Sequence, residues 1–147
     1  MMSVLILCYK KCSTCKKALD WLCAQGVSYT VRDIVDERPN EAELTQWIAE
    51  SHLPVTRFFN TSGLKYKALE LKEKLANMEE AEQISLLASD GMLVKRPLLI
   101  AENGVYPGFR EAEWRVLLSL CESLLYSAGT IYYKILVWGS SQKRKTV

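Results

Sequence analysis

Cys12-Ser13-Thr14-Cys15 decides the fold of this chain, because it stands where a strand gives way to a helix. An apolar run at residues 4–7 precedes this CxxC segment, and residues 16–22 follow with apolar side chains at helical spacing. A thiol at a helix N-terminus lies beside free backbone N–H groups and the positive end of the helix dipole, which favour the thiolate. Because the thiolate is the nucleophile, the pattern predicts a redox-active pair and not a structural crosslink.

The composition is that of an ordinary globular domain. Of the 147 residues, 49% are hydrophobic and 24% are charged, enough for one apolar core. The formal net charge of +2 comes from the C-terminal end, since residues 121–147 hold four Lys or Arg and one Asp or Glu. The body of the chain is therefore not a polycation, and we expect no direct contact with nucleic acid.

The first residues lack the features of a targeting segment. No basic leader precedes the apolar run, which ends after roughly six residues, too few for a signal peptide or a membrane span. We therefore expect a cytoplasmic protein without membrane contact. In a reducing cytosol paired thiols are usually catalytic or sensing, and the odd number of five cysteines argues against a disulfide scaffold.

The predicted elements are a βαβ unit, a helical insertion and a ββα unit, which is an α/β order. A strand at about 3–8, a helix at about 13–25 and a strand at 28–32 predict a βαβ unit. Residues 40–90 contain no strand-like run and predict an all-helical insertion. An Asn-Gly hairpin at 97–106 and a helix at 111–120 then predict a ββα unit. Residues 121–147 are a C-terminal extension of unknown role, whose strand-like run at 131–138 could pair with a sheet edge, mediate a dimer or be an accessory tail.

Four motifs in order give the chain a specific resemblance. They are the CxxC segment with the residues after it, residues 57–63, residues 87–97 ending in Arg96-Pro97, and residues 108–111. Over about residues 3–120 the chain resembles the arsenate reductase–Spx family, in particular its less characterised branch with an N-terminal CxxC. The resemblance implies one thioredoxin-like domain over residues 1–120, with a mixed four-stranded sheet, a helical insertion at about 40–90 and a cis proline opposite the cysteines.

The predicted site centres on the two cysteines. Cys12 is the predicted nucleophile and Cys15 the resolving thiol. Arg96 and Arg110 match two arginines of the family and are predicted to hold an oxyanion or stabilise the thiolate, because a guanidinium stays charged and binds oxyanions through two hydrogen bonds. The plainer alternatives are inert core cysteines and solvated surface arginines. Further substrate-binding residues are predicted around these four: Lys11, Ser13, Thr14, Lys16, Asn60 and Pro97.

Departures from the family pattern favour disulfide chemistry over arsenate. The family's arsenate reductases have arginines where this chain has Lys16 and Asn60, and they keep a single active-site cysteine, whereas this chain adds Cys15. We therefore predict a thiol–disulfide redox protein that reduces a disulfide or a small oxyanion. It would hold no cofactor and use an external thiol reductant such as glutathione, bacillithiol or thioredoxin.

A regulatory role is the alternative. The family's Spx-type members sense redox state and bind the C-terminal domain of the RNA polymerase α-subunit. They use a glycine that this chain lacks, since none stands between Gly26 and Gly63. Whether the protein turns over a substrate or acts as a switch stays open at this point.

Spacing alone also allows two metal sites. Cys8-x3-Cys12-x2-Cys15 matches the iron–sulfur loop of radical S-adenosylmethionine enzymes, but their barrel needs more βα units than 147 residues supply. A structural zinc site needs four ligands, and Cys8 falls on an inward strand position. We therefore expect no metal. The other cysteines, Cys23 and Cys121, are expected to pack as small apolar residues.

Overall fold

Four strands form one mixed sheet. A computed structural model of the protein describes residues 4–120, and the strands lie in the order β2-β1-β3-β4. Strand β1 pairs in parallel with β2 and antiparallel with β3, which pairs antiparallel with β4. Their bounds are β1 (Leu5–Cys8), β2 (Thr30–Asp33), β3 (Leu98–Ala101) and β4 (Gly104–Pro107). This sheet confirms the predicted α/β, thioredoxin-like fold class.

Helices fill the sequence between the two halves of the sheet. Helix α1 (Ser13–Ala24) connects β1 to β2, as predicted. The insertion contains α2 (Glu41–Ser51), α3 (Leu64–Ala68), α4 (Leu71–Lys74) and α5 (Glu80–Ser89). Three 3₁₀ turns lie between or after these helices, at Val55–Phe58, Leu75–Asn77 and Gly91–Leu93. The insertion is therefore helical, as expected, apart from one isolated antiparallel bridge between Phe59 and Val94.

The chain divides into two compact units, residues 1–110 and 111–147. Of the second unit the structure describes residues 111–120, where helix α6 (Glu111–Leu117) carries the fully buried Trp114. The predicted extension at 121–147, with its strand-like run at 131–138, lies outside the described residues. A single domain over residues 1–120 stays a prediction. No helix within residues 4–120 is long and apolar enough to cross a membrane.

Helix α2 begins where its sequence signals a start. The side chain of Asn40 accepts a hydrogen bond from the N–H of Glu43 at 2.8 Å, and the Glu43 carboxylate accepts one from the N–H of Asn40 at 3.2 Å. Glu43 also accepts two hydrogen bonds from the Arg32 guanidinium, at 2.6 and 3.0 Å. Because Arg32 belongs to β2, this pairing ties the edge strand to the insertion.

The apolar core joins the sheet to the insertion and holds the end of β1 in place. Leu7 of β1 and Leu98 of β3 are fully buried in one cluster with Leu44 and Phe58. Helix α2 turns one apolar face to this core, since Leu44, Trp47 and Ile48 are all buried. Burying each such side chain contributes roughly 1.5–3 kcal/mol. The CxxC segment therefore leaves a strand that is packed on the core.

Candidate active site

Cys12 caps the N-terminus of helix α1. Its backbone is extended, with φ −94° and ψ 116°, and its Sγ accepts a hydrogen bond from the N–H of Cys15 at 3.4 Å. The N–H of Cys12 donates to the carbonyl of Tyr9 at 3.0 Å, which fixes the turn between β1 and α1. The side chain is half-buried, so its thiol stays reachable from solvent. The structure thus places Cys12 where the sequence predicts it.

Cys15 lies one turn further on and is almost fully buried, with 1% of its surface exposed. Hydrogen bonding with the thiol of Cys8, the last residue of β1, and secondly burial raise the pKa of Cys15 far above its usual range. The same hydrogen bond lowers the pKa of Cys8, although burial opposes the shift.

Cys8, Cys12 and Cys15 form one group, called here the thiol cluster. All three line one cavity, and the N–H of Cys15 lies 3.4 Å from Sγ of Cys12. All three cysteines are free. Within residues 4–120 no group of three or more His, Cys, Asp or Glu side chains is arranged to hold a metal ion.

Sequence reasoning considered Cys8 only as a metal ligand and missed its contact with Cys15. The available signal was its position as the last apolar residue of β1, directly before the turn into the CxxC segment. Cys23 corrects another expectation. It is exposed and not in the core, with its Sγ 3.4 Å from the Tyr29 hydroxyl.

A cleft of about 710 Å³ opens at Cys12 and is called here the basic cleft. Three cationic side chains line it, Lys65, Lys95 and Arg96. Lys65 is paired with Asp90 across the start of the turn at Gly91–Leu93. The remaining lining includes Thr14, Asn60, Ser62, Gly63, Gly108 and Phe109. The predicted nucleophile and two of the predicted substrate-binding residues therefore share one cavity.

Arg96 is held in place from two sides. Its Nη1 donates to the carbonyl of Met92 at 3.3 Å, and its guanidinium carbon lies 5.0 Å from the centroid of the Tyr9 ring. Tyr9 thus contacts Arg96 through its ring and Cys12 through its carbonyl. Contact of a guanidinium with an aromatic face is attractive and orients the cation. Sequence reasoning did not identify Tyr9 or Lys95 as site residues.

Backbone pairing brings the insertion to the cleft. The N–H of Asn60 donates to the carbonyl of Leu93, and the N–H of Lys95 donates to the carbonyl of Phe58, both at 2.7 Å. These bonds flank the isolated bridge and place Asn60 opposite Leu93 and Lys95 opposite Phe58, and both Asn60 and Lys95 line the basic cleft. The buried Pro97 follows with a cis peptide bond to Arg96, as the resemblance implied.

A second cleft of about 720 Å³, called here the acidic cleft, is lined by the whole thiol cluster. Its acidic residues are Asp20, Asp33, Asp36 and Glu37. Lys10 pairs with two of them, at 3.8 Å from Asp33 and 3.1 Å from Asp36. Cys12 lines both clefts, so its thiol is shared by two cavities whose lining side chains carry opposite charge.

The other predicted site residues lie apart from the basic cleft. Lys16 is exposed and lines the acidic cleft. The remaining three are exposed and line neither cleft: Lys11, Ser13 and Arg110. Pro97 is buried and also lines neither cleft, and its carbonyl accepts a hydrogen bond from the N–H of Gly108 at 2.8 Å.

Known proteins are similar to this chain in sequence or in fold. A Bacillus subtilis (strain 168) protein named YusI, described as uncharacterized, is 46% identical over 113 residues, which are 77% of this chain and 96% of the relative. A solved Bacteroides fragilis protein described as related to the ArsC family is 53% identical with a TM-score of 0.76, over 78% of this chain and 96% of that one. The global transcriptional regulator Spx 2 of Lactococcus lactis subsp. lactis (strain IL1403) is 22% identical over 125 residues, 80% of this chain and 88% of the regulator.

The ArsC family model matches residues 7–117. This span contains the thiol cluster and the residues that line both clefts. The chain belongs to the ArsC family.

Proposed function

We propose that the protein is a thiol–disulfide redox protein in which Cys12 attacks an oxidised substrate held in the basic cleft. The observation that carries the proposal is the position of Cys12, at the N-terminus of α1 and at the wall of the basic cleft, with Cys15 one turn behind it. Membership of the ArsC family supports thiol redox chemistry in general. The reaction and substrate below are the proposed part.

The reaction runs in two thiol–disulfide exchanges. The Cys12 thiolate attacks one sulfur of a substrate disulfide, forms a mixed disulfide and releases the other half as a thiolate. Cys15 loses its proton to solvent and attacks Sγ of Cys12, which releases the second half and leaves a Cys12–Cys15 disulfide. The substrate gains two electrons and the pair of cysteines loses two. An external thiol reductant of the glutathione, bacillithiol or thioredoxin kind then restores both thiols.

The size and charge of the cleft favour a disulfide with an anionic arm over a bare oxyanion. Its volume of about 710 Å³ lies in the range of sites for whole small molecules and far exceeds a tetrahedral oxyanion. Lys95 and Arg96 line it, and a guanidinium binds carboxylates through two parallel hydrogen bonds. Asn60, which replaces a family arginine, is neutral. The cleft therefore offers fewer cationic side chains to an oxyanion than the sites of the family's arsenate reductases.

A reductase assay with a panel of disulfides and thiol reductants tests the proposal. Wild type should reduce a disulfide, and Cys12→Ser should lose that activity entirely. Cys23→Ser is the matched control, because Cys23 is an exposed thiol in the same helix that lines neither cleft. An unreactive Cys12 towards iodoacetamide near neutral pH would refute the proposal. Arsenate-dependent oxidation of the reductant, measured alongside, decides whether arsenate is also a substrate.

A redox-sensing regulator is the second candidate, favoured by the Spx relative, which aligns with 80% of this chain. In that case the CxxC segment would switch a contact with the C-terminal domain of the RNA polymerase α-subunit, and no turnover would occur. A pull-down with that domain, run on the reduced and the oxidised protein, tests the candidate. Binding in neither state rejects it.

A further inference from the structure

We propose that Tyr9 is a positioning residue, which holds the guanidinium of Arg96 at the wall of the basic cleft and so gives the protein a preference for disulfides with an anionic arm. The inference deepens the proposed function and rests on it, because it concerns how the basic cleft selects its substrate. Tyr9 lines the acidic cleft and not the basic one, so it acts through Arg96 and does not need to touch the substrate.

The three cations of the basic cleft differ in how much of their charge a substrate can use. Lys65 is paired with Asp90, which largely compensates its charge. In the described part of the chain, no carboxylate pairs with Lys95 or Arg96. Of the five N–H groups of the Arg96 guanidinium, one donates a hydrogen bond to another described residue. The other N–H groups remain available for a bound anion.

Arg96 is the cation whose position the fold sets. The Tyr9 ring, 5.0 Å from the guanidinium carbon, and the carbonyl of Met92, 3.3 Å from Nη1, hold it from two sides. Lys95 ends in a compact ammonium on a flexible four-carbon stem. A group that is already held in its binding position loses less freedom when the ligand arrives, so its contact with the ligand contributes more to affinity.

Tyr9 is itself fixed by its neighbours. It directly follows β1, and its carbonyl accepts a hydrogen bond from the N–H of Cys12 at 3.0 Å. Its side chain is partly buried and packs against the apolar core. A group that binds substrate needs support from side chains that packing has locked in place. The Tyr9 ring therefore meets the requirement for a support of the guanidinium.

The same residue relates the anion-binding group to the thiol that attacks. The backbone of Tyr9 contacts Cys12 and its ring contacts Arg96, and both of these residues line the basic cleft. The ring attracts a cation through the negative charge on its face. No hydrogen bond of the Tyr9 hydroxyl exists within residues 4–120. The ring, and not the hydroxyl, therefore carries the positioning role.

Steady-state kinetics of the full-length protein on two disulfides test the inference. Oxidised glutathione carries carboxylates, whereas hydroxyethyl disulfide is neutral. Tyr9→Leu should raise KM for oxidised glutathione about threefold, as expected for the loss of one contact between a cation and a ring, and leave KM for hydroxyethyl disulfide and both kcat values unchanged. Tyr9→Phe keeps the ring and should behave as wild type. Tyr29→Leu is the matched control, because Tyr29 also lines the acidic cleft but its hydroxyl lies at Cys23.

Two further variants separate an effect through Arg96 from a loss of packing. Pentafluorophenylalanine at position 9 keeps the shape of the ring and removes the negative charge on its face. It should raise KM for oxidised glutathione about threefold relative to Tyr9→Phe, and this comparison does not depend on whether Tyr9→Leu folds. In the Arg96→Gln background, Tyr9→Leu should raise KM no further, because the cation that the ring holds is gone.

Three results would overturn the inference and leave the proposed function intact. They are an equal rise in KM for both disulfides, an unchanged KM for oxidised glutathione with pentafluorophenylalanine at position 9, and a further rise in KM when Tyr9→Leu is added to Arg96→Gln. In each case Cys12 still reduces the substrates. A wild-type protein that reduces neither disulfide overturns the proposed function and the inference together.

Discussion

Replacing Gly91 with alanine should destabilise the fold, because Gly91 lies against the backbone that follows β2. A Cβ at this position would lie 1.8 Å from the carbonyl oxygen of Ile34 and 2.7 Å from its carbonyl carbon. Both atoms belong to the main chain, so no side-chain rotation relieves the clash. The backbone of Gly91 itself is not in the left-handed region. The whole cost therefore comes from forcing two segments apart.

The magnitude follows from that distance. Carbon needs about 3.5 Å from a non-bonded neighbour, so the 3₁₀ turn must move by roughly 1.7 Å. Overpacking of a buried site costs up to about 3 kcal/mol, and Leu93 and Val94 beside the turn are almost fully buried. Removing a glycine from the unfolded chain returns about 0.5 kcal/mol. The free energy of unfolding should thus fall by about 2.5 kcal/mol, which lowers Tm by about 5–10 °C in a chain of this size.

Urea unfolding followed by tryptophan fluorescence measures this loss. Gly63→Ala is the matched control, since Gly63 has a negative φ of −73° and its added Cβ would meet mainly the Asn60 side-chain amide, at 2.7 Å. That amide can rotate, so the control should stay within about 0.5 kcal/mol of wild type. Equal stability of Gly91→Ala and wild type would refute the reasoning, as would equal losses in the two variants.

Three further predictions concern charge and the site. The Arg32 guanidinium holds the pKa of the Glu43 carboxyl below its usual value, so the pairing stabilises the fold fully above pH about 4.3 and is lost as the pH falls through the lower folded pKa. Glu43→Gln should therefore be about 1 kcal/mol less stable than wild type at pH 7. The gap should narrow in urea titrations as the pH is lowered from 7 to 3, whereas a constant gap would contradict the ionic origin. Arg96→Gln should raise KM about tenfold for oxidised glutathione and leave KM for the neutral hydroxyethyl disulfide unchanged, and equal effects on both would show that Arg96 does not bind the anionic arm. Cys15→Ser should accumulate a mixed disulfide between Cys12 and half of the substrate, visible in the intact mass; a variant that stays unmodified would show that Cys12 is not the attacking thiol.

Local features of the sequence are where prediction and structure agree. Helix α1 begins at the CxxC segment and α2 begins at the capping box of Asn40 and Glu43. Such starts depend on hydrogen bonds between residues three apart, so a short stretch of sequence contains all the partners. The order of strands and helices, with its helical insertion, followed from hydrophobic periodicity, whereas the mixed sheet was implied by the family resemblance.

The sequence motifs predicted only some of the residues that line the basic cleft. Cys12, Thr14, Asn60 and Arg96 line it as the motifs suggested, but Arg110 does not. Lys95 enters because its N–H pairs with the carbonyl of Phe58, a contact across 37 positions of the chain that no local pattern encodes.

The sequence by itself determined that a thiol caps a helix after a buried strand, since the strand, the turn and the helix are consecutive and each has its own pattern. Only the tertiary structure decided what surrounds that thiol. Packing β1 against β2 and β3 buries Cys8, and the turn held by Tyr9 brings Cys15 back onto it. A pair of cysteines in the sequence is therefore a cluster of three in the fold, because strand pairing and helix packing set distances that spacing along the chain does not.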